Sequence, residues 1–547
     1  MKQRHLLSIV AVLAIVSGLL LGCGGQPTPV TESPTAVVEN TVAPTTEAAV
    51  APTTPAVERI EELQVAQFAN PAELSCPNWG TQDTLDVMQH FAEPLFRFDR
   101  DRNIQGVLVE SWEDDGPTTW TLHIRKGVKF QDSQYGELTA EDVVASLEWC
   151  FSPEAPMVTV HPGLIAEMEL AIVDDYTVEI KIPEPGLAGL PNSLGLTAIT
   201  SKKYLEQVGA EWTLKPMGTG PYKFVEWEPN VRIVGERFEG YWGQDPGVER
   251  IVWRIIPDAF TRKSEFLTGA IDVLPFMMAD WVPEVEANAG VRVEPTLSSR
   301  MIMIVLPVKQ EPYSDIRVRK ALNYAVNKEE IVAQLFQGIG ALPLTGVIHP
   351  IVSEADPNRV GYPFDPEKAK QLLEEARADG VEIGTLTLYA PNDRYNLDKE
   401  MGEAVAGYWR AVGLDVEYMP ESRTTLFPRV QALEMKDPFL FGIGDPELRA
   451  ESAPSVWLQT RTDPPSRGSE YAVGLPEWDG MIEELTSLPS GSEESIRVAR
   501  EIDGIWTDYA PWVFLINYVD LYGVSNQIDW KPYPGELRIF VDVRPAD

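Results

Sequence analysis

A chain of 547 residues is longer than one hydrophobic core organises, so two or three domains are expected. Apolar residues at 44% and charged residues at 23% are the composition of a soluble globular protein. Acidic residues outnumber basic ones 83 to 45, a formal net charge of −38, and a field of that sign argues against phosphate backbones and anionic headgroups as partners.

Lys2 and Arg4 precede a mostly apolar run from Leu6 to Leu21, marginal against the roughly 20 residues that cross a bilayer. A positive start, an apolar run and a small residue before a cut site make a secretory signal over residues 1–22. The run ends in Leu20-Leu21-Gly22-Cys23, which resembles a bacterial lipobox. That resemblance implies a lipidated Cys23 and an extracytoplasmic chain anchored to the cell membrane, periplasmic or cell-surface. An ordinary signal peptide with an incidental cysteine, or an uncleaved anchor, is the alternative. Residues 23–58 are rich in Pro, Thr, Ala, Val and Glu. They bury too little apolar surface to offset ordering entropy, so a disordered tether is expected, reaching on the order of 100 Å when extended.

From Arg59 the texture is mixed α/β. Thr118–Ile124 alternates as a half-buried strand does. Thr139 with Asp142 opens a helix whose face holds Val143, Leu147 and Cys150. Asp315 caps a stripe of Val318, Ala321, Leu322, Ala325 and Val326. Asn327 and Glu330 form a box before Ile331, Val332 and Leu335, and Asp365-Pro366 begins the next helix. A helix near Leu397–Val412 stops at Gly413, and Leu414–Tyr418 reads as a strand. Cys76 and Cys150 could pair in an oxidising compartment or remain separate buried thiols.

Chemistry-bearing motifs are sparse. Neither a G-x-S-x-G elbow, an H-E-x-x-H pair nor a Walker loop occurs, and five histidines leave no metal-site spacing. Asp99, Asp101, Asn103 and Glu110 stand at calcium-loop positions, but the turn glycine is replaced by Ile104. Gly218-Thr219-Gly220-Pro221 reads as a fixed turn feeding a strand at Tyr222–Trp227 rather than a phosphate cradle.

Several blocks, in order, resemble the extracellular solute-binding proteins of the oligopeptide, dipeptide and nickel type. They are Glu93-Pro94-Leu95, the WTLHIRKGVKF stretch from Trp120 to Phe130, Leu138–Val144, Met217–Tyr222 with Tyr241-Trp242-Gly243, Gly269–Asp272, and Pro312–Ala325. The resemblance implies an α/β, two-lobed periplasmic-binding-protein-like fold with a hinge of two crossing strands and an extra subdomain in the first lobe. It places lobe I at 59–303, lobe II at 304–513 and a C-terminal return to lobe I at 514–547. The crossings are expected near Met301–Leu306 and Trp512–Ile516. It further implies a non-enzymatic monomer without cofactor, working with ABC permease subunits and binding a peptide or, alternatively, an oligosaccharide.

In peptide-binding relatives an Asp after a strand pairs with the ligand's amine, and Phe439–Pro446 matches that stretch, with Asp445 at the acidic position. Asp445-Pro446 equally suits a plain turn. The family's aromatic three residues earlier is Gly442 here, which weakens the peptide reading. Trp79, Trp281 and Trp478 lie in expected loops and are candidates for stacking on ligand, each also at home in a core. A tethered hydrolase and a ligand sensor on the same fold are the rivals from other classes.

Overall fold

The computed structural model describes residues 58–76, 82–114, 118–152, 168–182, 194–444, 448–451, 453–454, 471, 476–535 and 537–546. The signal segment, Cys23, the tether before Glu58, Trp79 and Asp445 lie outside the described residues.

Among the described residues a separate four-stranded sheet holds Thr119–Ile124, and the largest sheet is mixed and has 11 strands. Its strands are Ile60–Gln67 (β1), Tyr222–Glu228 (β2), Arg232–Arg237 (β3), Val248–Ile255 (β4), Val273–Leu274 (β5), Val291–Val305 (β6), Ala341–Pro343 (β7), Leu386–Pro391 (β8), Val416–Glu421 (β9), Phe439–Gly444 (β10) and Trp512–Ser525 (β11). They lie side by side as β9-β8-β10-β6-β11-β5-β1-β4-β3-β2, with β7 also on β11. β1 is parallel to β4 and β5, and β8 is parallel to β9 and β10. The long central strands β6 and β11 pair antiparallel from Val291↔Ser525 to Val305↔Trp512.

β6 and β11 therefore join two halves, each with a core of its own. One half is centred on Leu63, Phe91, Tyr222, Trp253 and Tyr522, with a further cluster around Trp120, Leu122 and Leu147. The other is centred on Ile302, Leu322, Leu373, Trp409 and Leu515. The expected crossing runs, Met301–Leu306 and Trp512–Ile516, are the fully buried ends of these two strands. Each strand continues well beyond that run, because the Val291–Leu297 and Val519–Ser525 segments stay in the ladder.

The capping residues act as the sequence suggests. Asp315 accepts from Arg317 N–H at 2.7 Å, Asn327 from Glu330 N–H at 3.0 Å, and Asp365 from Lys368 N–H at 2.8 Å. Thr139 N–H donates to the Asp142 carboxylate at 2.9 Å. The calcium-like string is a hairpin turn: Phe96–Phe98 pairs with Ile104–Gly106, and Asp99 accepts from Asn103 N–H at 2.9 Å.

The Gly218–Tyr222 turn is held by close approach. A Cβ on Gly218 would come within 2.7 Å of the Ala92 Cα, and one on Gly220 would meet the His90 carbonyl. The fully buried Glu93 carboxylate binds this turn to Tyr241 and Trp242: it accepts from Thr219 Oγ1 at 2.9 Å, Tyr241 Oη at 2.7 Å and Trp242 Nε1 at 2.8 Å. Burial raises its pKa, with Arg97 and these three donors opposing.

Cys76 and Cys150 are joined in a disulfide, both fully buried, with Cα atoms 5.4 Å apart and a sequence separation of 74. Closing a loop of that length restricts the unfolded chain, so Cys76→Ser with Cys150→Ser should lower stability by about 2–4 kcal/mol in urea unfolding. His90 is equally enclosed. Its Nε2 accepts from Phe540 N–H at 3.1 Å, its ring stacks on Phe540, and burial pushes its pKa down to about 3. The unfolded chain takes up that proton first, so this contribution to stability is present above pH ~6.5 and lost as pH falls toward ~3. Replacing His90 by Gln keeps an acceptor for Phe540. It should flatten the fall in unfolding free energy by about 1.4 kcal/mol per pH unit between pH ~6 and ~4, measured against the parent chain.

Candidate ligand site at the shared strands

Strand direction locates the site. Leu274 at the end of β5 lies beside Gly523 of β11, and the chain beyond it continues toward Leu521, whose carbonyl accepts from Met277 N–H at 2.8 Å. The end of β10, Gly444, lies beside Arg300 of β6, having come from Phe439 beside Val305. The carboxyl ends of the parallel strands in both halves thus converge on one stretch of β6 and β11, around residues 296–300 and 517–520. Open α/β sheets bind ligands outside the carboxyl ends of their strands.

At that stretch β6 bulges. Leu297 pairs with Val519 and Met301 with Asn517, so Ser298, Ser299 and Arg300 all stand opposite Tyr518. Bulges re-aim side chains. The buried Asn517 supports this one by donating Nδ2–H to the Ser298 carbonyl at 3.3 Å. Here a pocket of about 150 Å³ is lined by Ser298, Arg300, Arg394, Tyr395, Asn396 and Tyr518.

Arg394, Tyr395 and Asn396 come from the loop after β8. Asp398 shapes that loop: its buried carboxylate accepts from the N–H groups of Arg394 and Tyr395 at 2.9 Å and of Lys399 at 2.8 Å. Leu397 adopts a left-handed conformation (φ 56°) between loop and helix. Tyr395 exchanges hydrogen bonds with the Gly442 backbone, accepting at 3.0 Å and donating at 3.2 Å. Tyr518 Oη donates to the Asn396 carbonyl at 2.6 Å. The loop is therefore fastened to both β10 and β11.

Two glycines of β10 make room for this arrangement. A Cβ on Gly442 would stand 2.7 Å from both Ile302 Cδ1 and the Tyr395 ring, and one on Gly444 would stand 3.1 Å from Arg300 Nη2. The missing aromatic at 442 is thus a substitution of one ring for another: Tyr395 fills the space from the neighbouring loop.

The pocket is cationic. Desolvation lowers the Arg394 pKa, and the like charges of Arg300 and Arg423 add to the effect. Burial, with Arg300 adding to it, pushes His349 down to about 3, so this imidazole is neutral. Arg394 lies 5.4 Å from the Tyr395 ring. From the other half, Phe68 follows β1 and Phe276 (φ 53°) follows β5, their rings edge to face at 5.7 Å.

Of the candidates named from sequence, Trp281 and Trp478 are placed in cores. Trp281 packs with Phe266 and Val285 under the Lys263 ammonium. Trp478 sits 5.2 Å from Trp506 and 5.0 Å from Tyr509. Neither joins the arginine pocket. Sequence reasoning passed over Arg300, Arg394, Tyr395 and Tyr518. The available signals were the Ser-Ser-Arg interruption of an apolar strand and the polar Asn392–Asn396 cluster at a strand's carboxyl end.

Residues 103–462 match the family described as bacterial extracellular solute-binding proteins, family 5. The dipeptide-binding protein of Escherichia coli K12 is 31% identical over 338 residues, 57% of this chain and 62% of that protein, so the match spans about three fifths of that relative. The glutathione-binding protein GsiB of Shigella dysenteriae serotype 1 is 33% identical over 453 residues, 80% of this chain and 86% of that protein. Among solved structures, HbpA2 from Haemophilus parasuis shares the fold at a TM-score of 0.77 and 18% identity, covering 89% of this chain and all of that one.

Gly442→Ala should force Tyr395 or Ile302 aside. We expect a loss of about 1–3 kcal/mol in urea unfolding, as for overpacked cores. Gly407→Ala, on an open face inside the Asp398–Ala411 helix with nothing within 4 Å of the added carbon, serves as the control and should instead stabilise by about 0.5–1 kcal/mol.

Proposed function

The chain belongs to the bacterial extracellular solute-binding proteins of family 5, and from that premise we propose that it is the ligand-capturing component of an ABC-type importer, taking a peptide or peptide-like molecule between its two lobes. The observation that carries this reading is the pocket shared by Arg300 and Arg394 at the strands common to both halves. Guanidinium groups match carboxylates in shape and charge, and a peptide C-terminus is a carboxylate. Relatives named for dipeptide and glutathione binding agree with that chemistry. A neutral oligosaccharide offers these cations no counter-charge.

In this reading lobe I spans 59–303, lobe II 304–513, and 514–547 returns to lobe I. The boundaries near 303 and 513 fall within β6 and β11. Bending of those strands alternates open and closed forms, and ligand shifts the balance by binding the closed form better. Asp445, the residue after β10 in sequence, is our assignment for the ligand's amine. The protein releases its ligand unchanged to permease subunits, and lipidation of Cys23 holds it at the outer face of the cell membrane.

Thermal-shift screening of di- and tripeptides against sugars tests the reading. A peptide at 100 times its Kd should stabilise the protein by about 2.7 kcal/mol. Arg394→Ala should weaken that peptide by about tenfold or more, and Asp445→Asn should weaken it while sparing N-acetylated analogues. A screen in which sugars alone shift the melting temperature would overturn it.

A further inference from the structure

The pocket holds more positive charge than one carboxylate needs. Arg300 enters it from the β6 bulge and Arg394 from the loop after β8, so the two guanidiniums are delivered by independent elements. Two acids of the loop after β8 are otherwise engaged. Asp398 faces the backbone N–H groups of its own loop, and Asp393 accepts from Arg423 N–H at 2.6 Å. Among the described residues neither Arg300 nor Arg394 forms an ion pair, although arginines elsewhere do so repeatedly on this acidic chain, as Arg317 does with Asp315 and Arg359 with Asp503.

Arg300 and the loop that carries Arg394 are both held in place by their surroundings. Arg300 is half-buried, and its guanidinium lies where a side chain at Gly444 would project. Arg394 is exposed, but its loop is fastened through Tyr395 to Gly442 and through Asn396 to Tyr518. Neighbouring like charges repel each other, and the repulsion grows as a closing site excludes water. Among the described residues no acidic side chain pairs with either guanidinium, and with Asp445 given to the ligand's amine, anionic charge from the ligand is what relieves the pair.

We propose that the ligand is a small peptide with two carboxylates, its terminal one and one on an acidic residue, each met by a different arginine. The inference rests on the peptide reading given above and narrows it. A ligand with the amide in place of the second carboxylate leaves one guanidinium desolvated without a counter-charge. Sites that hold a buried polar group discriminate strongly against the isostere that fails to satisfy it.

Matched peptides isolate the charge from the shape. Isothermal titration of the purified protein with Ala-Glu against Ala-Gln, Glu-Ala against Gln-Ala, and Ala-Glu-Ala against Ala-Gln-Ala should show a preference of about tenfold or more for the glutamate member of at least one pair. Arg300→Gln and Arg394→Gln should each reduce that ratio by about fivefold or more, with melting temperatures of the ligand-free variants reporting that they fold. Should a variant not fold, the wild-type ratio decides. Equal affinities within every pair overturn this inference and leave peptide capture standing. Binding of no member overturns both.

Discussion

The pairing of β6 with β11 is the constraint on which the rest depends. Among the described residues, fifteen of one strand and fourteen of the other form the bridge of the large sheet between its two halves. A ladder of that length tolerates twist and bend without losing its backbone hydrogen bonds, because the bonds run between neighbours that move together. It also fixes where the halves meet. Each half supplies parallel strands whose carboxyl ends point at the middle of the bridge, so the site's position follows from strand direction before any side chain is considered.

The site is then shaped by departures from regular pairing. The bulge at Ser298–Arg300 places three residues opposite Tyr518 and turns Arg300 toward the pocket. Gly442 and Gly444 lack side chains where Tyr395 and Arg300 lie. Asp398 spends its carboxylate on three backbone N–H groups of the loop carrying Arg394. These residues position the pocket walls, and the charge they present follows from two arginines without an ion-pair partner among the described residues.

The motifs that stand out most in the sequence serve the framework instead. Glu93 is a buried hydrogen-bond hub joining Thr219, Tyr241 and Trp242, residues 126 to 149 positions away. Leaving its partners unsatisfied is costly inside a core, which is reason enough for those side chains to occur together. The hairpin Phe96–Gly106 has a second duty. Phe98 enters a core built mainly from the other half, and Arg102 donates to the Ile351 carbonyl at 2.8 Å. The halves are thus in contact through side chains as well as through the shared strands.

The sequence by itself determined the local structure. Helix starts at Asp315, Asn327 and Asp365, the turn at Gly218–Pro221, the alternating strand at Trp120 and the buried runs at Met301 and Trp512 were all legible, because capping, chirality and burial periodicity act over a few residues. The matching blocks, taken in order, also carried the family and its two-lobed fold. Only the tertiary structure decided the rest. It extended both crossing strands past their apolar runs, joined Cys76 to Cys150, sent Trp281 and Trp478 into cores, and assembled Arg300, Arg394, Tyr395 and Tyr518 from three segments spread over more than 200 positions. Such contacts depend on strand register and on which side chains are missing, as at Gly442. Neither is written in local periodicity, since a neighbour across a sheet leaves no mark on the residues beside it in the chain.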